Sequence, residues 1–252
     1  MRNRLQISLA IASLALAALA CQAVNGGQDA PTIEIPSVNT IVPADTIEPI
    51  PTKTEEPVEN SNSDTLLQDD FSVGRTKWGT GTDADSAVEY VDDALNMQVF
   101  TKNYFVWTTP NDKQYDKVHM EVTVINNGTD STTAFGLICY KQYPIDDNNY
   151  YFAVTPAGEY AIAKAALAQD DVFLTNNNEW AKSDLIAKDA ASYRIGADCG
   201  NGTLTLYVDG QQIDSIPDST YTTGGIAIFA WSGKEATSTN VSFDDFMMTK
   251  LP

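Results

Sequence analysis

Apolar and polar side chains alternate with period two over most of the chain's second half. Val118, Met120, Val122 and Val124 interleave with His119, Glu121 and Thr123, and Leu204, Leu206 and Val208 interleave with Thr203, Thr205 and Tyr207. Successive side chains of a strand point to opposite faces, so this pattern predicts strands with one buried face. Turn signals separate the runs: Asn126-Asn127-Gly128, Asp146-Asp147-Asn148-Asn149, Asn201-Gly202 and Asp209-Gly210. Asp209-Gly210 predicts a two-residue hairpin, because a type I′ turn requires positive φ at both central positions. Residues 161–169 read equally as a short helix or as a strand followed by a loop. About a dozen strands without amphipathic helices predict an all-β domain, a two-sheet antiparallel sandwich. Parity extends to two cysteines. Cys139 shares its face with Phe135 and Leu137, and Cys199 shares its face with Tyr193, Ile195 and Ala197, so both sulfurs are expected on the buried side, bridging neighbouring strands.

The front of the chain has a different pattern. Met1-Arg2-Asn3-Arg4 precedes an uncharged run from Leu5 to Ala20 rich in Ala, Leu and Ile, which reads as the basic and apolar regions of a cleaved signal peptide over 1–20. Ala18-Leu19-Ala20-Cys21 resembles the bacterial lipobox. That resemblance implies lipidation of Cys21 and cleavage before it, leaving Cys21 as the N-terminus of a lipoprotein anchored at the extracytoplasmic face of the cell membrane. Residues 21–65 follow as a tether. From Gln22 to Asp64 there is no Phe, Tyr or Trp, and Pro, Thr, Glu, Asp, Ser and Asn predominate. Such a segment buries too little apolar surface to offset its ordering entropy. Its expected reach is about 40 Å as a coil and about 140 Å as polyproline. The domain is expected over 66–252.

Composition narrows the partners. The formal charge is −19 and the pI about 4.1, which argues against nucleic acid, since phosphate binding requires a basic surface. It also leaves membrane association to the lipid at Cys21. There are three cysteines, and lipidation of one leaves Cys139 and Cys199 to form a disulfide in an oxidising compartment. The chain-entropy relation assigns a loop of that length about 4 kcal/mol.

Several motifs follow in order: Asp69-Asp70-Phe71, Gly136-Leu137-Ile138-Cys139, Asn149-Tyr150-Tyr151-Phe152, Leu204 to Gly210, Gly224-Gly225-Ile226-Ala227-Ile228 and Val241-Ser242-Phe243-Asp244-Asp245-Phe246. Together they resemble the concanavalin A-like lectin/glucanase jelly rolls, in particular laminin-G-like and 3-keto-disaccharide-hydrolase-like domains of bacterial lipoproteins. The resemblance implies a jelly-roll sandwich. It also implies a function among carbohydrate-binding modules, glycan hydrolases and domains without a known ligand. Where sugar-binding relatives often carry an arginine after the Gly136 strand, this chain has Tyr140-Lys141. A lysine donates to a hydroxyl but lacks the planar fork.

Catalytic chemistry has little support in the sequence. The Glu-x-Asp-x-Glu and Glu-x-Asp-x-x-Glu strands of glucanases with this fold do not occur, and Glu89-Tyr90-Val91-Asp92-Asp93 ends in a turn. His119 is the one histidine and falls on a polar face beside Glu121, as a surface residue would. No phosphate-binding or dinucleotide-binding glycine motif is present. Two signals remain. Tyr140, Tyr151, Tyr207, Phe229 and Trp231 have the parity opposite to the core, so with Lys141 nearby they would either stack on sugar rings or lie under loops, of which 164–188, carrying Trp180, is the expected cover. Asp70 with Asp244 or Asp245, in the first and last strands, would either hold a structural calcium or simply face solvent. No other cofactor is expected. The reading is a non-catalytic, surface-anchored lipoprotein that binds an extracellular glycan or a cell-surface protein. A glycoside-active enzyme and an accessory domain without a small ligand are the alternatives.

Overall fold

The computed structural model describes residues 64–72, 77–143, 148–235 and 238–252. Residues 1–20, Cys21 and nearly all of the tether lie outside the described residues, as do Asp146 and Asp147 of one expected turn.

The described residues form sixteen strands. In chain order they are β1 (Thr65–Asp69), β2 (Gly81–Thr82), β3 (Ser86–Val91), β4 (Ala94–Val99), β5 (Phe105–Thr108), β6 (Val118–Asn126), β7 (Ala134–Lys141) and β8 (Asn149–Val154). There follow β9 (Glu159–Ala165), β10 (Val172–Phe173), β11 (Ala181–Lys182), β12 (Ser192–Gly200), β13 (Thr203–Val208), β14 (Gln211–Pro217), β15 (Gly225–Trp231) and β16 (Thr239–Lys250). They build two antiparallel sheets packed face to face as a jelly-roll sandwich. The nine-stranded sheet runs β14-β13-β12-β6-β16-β4-β3-β2, with β1 also on β16. The seven-stranded sheet runs β10-β9-β8-β7-β15-β5, with β11 also on β9. Of the two readings for 161–169, the strand followed by a turn is the one adopted.

Alternation explains the core. Val118, Met120, Val122 and Val124 of β6 meet Leu137, Cys139, Phe135 and Phe152 of the facing sheet in one buried cluster, while the intervening residues of β6 are only partly buried. The turns behave as their residues demand. Asp209 and Gly210 have φ of 51° and 76°, and Asn201 and Gly202 have 54° and 72°, the positive values that a right-twisted two-residue hairpin requires.

Cys139 and Cys199 are joined, with Cα atoms 6.6 Å apart. Their parity is as expected, but their partnership is not. They do not bridge neighbouring strands of one sheet, because β7 belongs to the seven-stranded sheet and β12 to the nine-stranded sheet. The disulfide therefore crosses the core and ties the two layers together.

Candidate functional site

The outer face of the seven-stranded sheet carries a cleft, and the strand register shows how the sequence makes it. One row across the sheet reads Trp107, Phe229, Gly136, Ala153, Ala161 from β5 to β9. The next reads Ala227, Ile138, Tyr151, Ala163, Phe173, and beside the first Phe105, Trp231 and Ala134 align. Small residues on β7, β8 and β9 thus lower the floor, and rings stand around it. The cleft measures about 510 Å³, within the range of small-molecule sites.

Its walls are rigid aromatic pairs. Phe105 stacks on Phe229 with centroids 4.6 Å apart and planes at 15°, and Trp180 lies parallel to Trp231 at 6.3 Å and 14°. Tyr151 meets Phe229 edge-on at 5.8 Å. Lys141 Nζ sits 4.4 Å from the Trp107 ring centroid, a cation–π contact. Polar groups come from Asn103, Asn149, Gln169, Asp171 and Lys234. The Tyr151 hydroxyl donates to Asp171 Oδ2 at 2.9 Å. Burial first, and the Asp171 charge second, push the Tyr151 pKa far up, so the phenol stays protonated and its proton stays directed at the carboxylate.

The expected aromatic face is only partly assembled. Tyr151, Phe229 and Trp231 line the cleft. Tyr140 does not: it has φ of 53°, and a register shift places both Cys139 and Tyr140 opposite Ile226. This bulge turns Tyr140 inward, where it is buried and donates to the Asp116 carbonyl at 2.5 Å, and it swings Lys141 outward onto Trp107. Gly224 permits it, since a Cβ there would lie 2.4 Å from the Tyr140 carbonyl carbon. Tyr207 is on the other sheet altogether. The segment expected to cover the face does so in part: Ala165, Phe173 and Trp180 pack against a buried cluster that contains Tyr151 and Phe229, and with Ala168 they also form one wall of the cleft. Phe105 and Trp107 were missing from the expected set, although Phe105-Val106-Trp107-Thr108 alternates and could have been recognised as a strand.

Tyr207 belongs to a polar network on the outer face of the nine-stranded sheet. Its hydroxyl donates to Asp198 Oδ2 at 2.8 Å, and Asp198 Oδ1 lies 2.6 Å from His119 Nδ1. His119 Nε2 is 3.3 Å from Glu121, whose other oxygen takes Arg194 at 3.1 Å. The hydrogen bond to Asp198, with the charges of Asp198 and Glu121, raises the His119 pKa above 6.5 against the opposing effect of burial. A raised histidine pKa adds stability that is complete below the unfolded-state value and is lost as pH rises through the folded-state value. Across about pH 5 to 8, the stability advantage of the wild type over His119→Gln is expected to shrink as pH rises. Urea unfolding of both proteins checks this, and a difference independent of pH would reject it.

The terminal strands pair as the calcium reading requires, β1 with β16. Their carboxylates are engaged within the protein. Asp70 Oδ1 accepts from Ser72, Asp244 Oδ1 accepts from the Asp245 amide, and Asp245 Oδ2 is 3.6 Å from Arg194. Among the described residues no group of three or more His, Cys, Asp or Glu side chains is arranged to hold a metal ion.

No protein-family model matches the chain, and no curated protein matches it. Solved structures do. Carbohydrate binding module CBM66 from Bacillus subtilis superposes with a TM-score of 0.52 at 14% identity, covering 69% of this chain and 96% of that one. A Bacillus subtilis protein of unknown function with a galectin-like fold gives 0.53 at 11%, covering 74% and 96%. A Bacteroides ovatus mixed linkage glucan GH16 protein in complex with its product gives 0.52 at 15%, covering 73% and 99%. At such identities the likeness establishes the fold, a jelly-roll sandwich shared by binding modules and glycoside hydrolases.

Proposed function

We propose that the domain binds an extracellular glycan in the aromatic cleft of the seven-stranded sheet and does not cleave it. The observation that carries this is the combination of an alanine and glycine floor with partly exposed rings, Trp107, Trp180, Trp231 and Phe105, the last stacked over the buried Phe229, and a polar rim. Flat aromatic faces suit the apolar faces of pyranose rings, and the rim suits their hydroxyls. The neighbouring folds, which include a carbohydrate binding module, agree with it. Hydrolysis with two carboxylates needs a pair flanking the scissile bond. Among the described residues that line the cleft Asp171 is the one carboxylate, and it accepts the Tyr151 hydroxyl.

The test is a glycan array probed with the full-length protein, followed by calorimetry on the hits. Trp231→Ala is expected to weaken binding at least about tenfold, or about 1.4 kcal/mol, without a comparable loss of thermal stability. No glycan above background would remove the reading.

In this reading the domain works at the cell surface, held by a lipid on Cys21. Acyl chains contribute about 0.8 kcal/mol per buried CH₂, so two or more give lasting attachment. Cys21→Ser is expected to move the protein from the detergent phase to the aqueous phase or to leave it unprocessed. Unchanged partitioning and processing would reject the anchor.

A further inference from the structure

We infer that the cleft is one half of a longer site, and that a second sugar-binding subsite lies around the sheet edge beyond Trp107, so that the ligand is an extended glycan chain and not a single terminal residue. This inference rests on the glycan reading above and adds the length and path of the ligand.

The observation is a second concavity of about 460 Å³. It lies where the sandwich is open, between β2 and β3 at one end of the nine-stranded sheet and β5 at the edge of the seven-stranded sheet. Trp107 lines both concavities, so the two meet at β5, the strand over which a chain leaving the aromatic cleft would pass.

The register explains why this edge is hollow. Gly81 pairs with Val88, whose side chain is buried in the core, so the side-chain position of Gly81 also faces inward. A Cβ built there would meet nothing within 4 Å. Val88 opposite fills the core, whereas at Gly81 the layer lacks a side chain. The loop ahead of it is held in place: Thr108 Oγ1 donates to the Gly79 carbonyl at 2.7 Å, and the Gly79 amide donates to the Thr109 carbonyl at 3.4 Å. These bonds fasten the edges of the two sheets to each other. The hollow is thus supported by hydrogen bonds, with Val88 and Val106 as its apolar side and Thr82, Asp83 and Ser86 as its polar side. An apolar patch facing hydroxyls and a carboxylate is the same amphipathic recognition that the aromatic cleft offers, on a smaller scale.

Gly81 also provides the test. Gly81→Ile fills the hollow with a strand-favouring side chain where the fold leaves room. Calorimetry would compare full-length wild type, Gly81→Ile and Trp231→Ala against cello-, laminari- and xylo-oligosaccharides from disaccharide to hexasaccharide. The wild type is expected to gain at least about tenfold in affinity along one of these ladders, about 1.4 kcal/mol. Gly81→Ile should keep the disaccharide affinity and lose the gain, with its melting temperature unchanged, whereas Trp231→Ala should weaken every length. If affinity does not rise with length, or rises equally in Gly81→Ile, the second subsite is wrong while the aromatic cleft stands. If none of these oligosaccharides binds the wild type, the second subsite falls, and the glycan array decides the glycan reading separately.

Discussion

Replacing both Cys139 and Cys199 with alanine is expected to lower the unfolding free energy by about 4 kcal/mol. The two residues are 60 apart in sequence, and a cross-link of that span removes much of the freedom of the unfolded chain. Its position adds to the consequence, because it ties β7 to β12, strands of different sheets, through a region where both sulfurs are fully buried. For a domain of this size the melting temperature should fall by about 10 °C. Urea and thermal unfolding of the double variant, and of the wild type with and without reductant, measure it. A change below about 1 kcal/mol would show that the layers are held by packing alone.

A single methyl group at Gly136 is expected to do comparable damage. A Cβ there would sit 1.9 Å from the Phe152 carbonyl oxygen and 3.4 Å from the Phe229 ring. The oxygen belongs to the backbone of β8, which pairs with β7 over Phe135 to Cys139, so it cannot withdraw without opening that ladder. Overpacking of this kind costs about 3 kcal/mol or more. Gly136→Ala should therefore express poorly or melt far below the wild type, and any folded fraction should bind glycan weakly because Gly136 lies in the floor beside Phe229. Gly81→Ala is the control and should be nearly neutral. Equal stability of the two variants would mean that β7 and β8 relax far more easily than their register implies.

How much of this was legible beforehand can be judged from particular residues. Tyr151, Phe229 and Trp231 lie on the face opposite the main core, because each lies in a strand whose alternation is unbroken up to that point, but Tyr151 and Phe229 are buried there in a second cluster. Tyr140 was misplaced by one bulge: an extra residue inverts the parity of everything after it, and nothing in Ile138-Cys139-Tyr140-Lys141 announces the inversion. The signal is on the partner strand, in Gly224 and Gly225, where the absence of side chains lets the backbone approach. Tyr207 failed for a different reason, since its parity was right but its sheet was not.

By itself the sequence determined the class of fold, the turns and the inward direction of both cysteines, because these depend on local backbone geometry and on the period-two burial of apolar side chains. Tertiary structure decided which strands became neighbours, and with that the site. Phe105 and Trp107 reach Trp231 and Phe229 only because β5 pairs with β15, and Trp180 joins Trp231 only because the chain after β9 folds back along the sheet. Strand pairing is set by long-range packing of whole layers, so residues far apart in the chain carry no local mark of it.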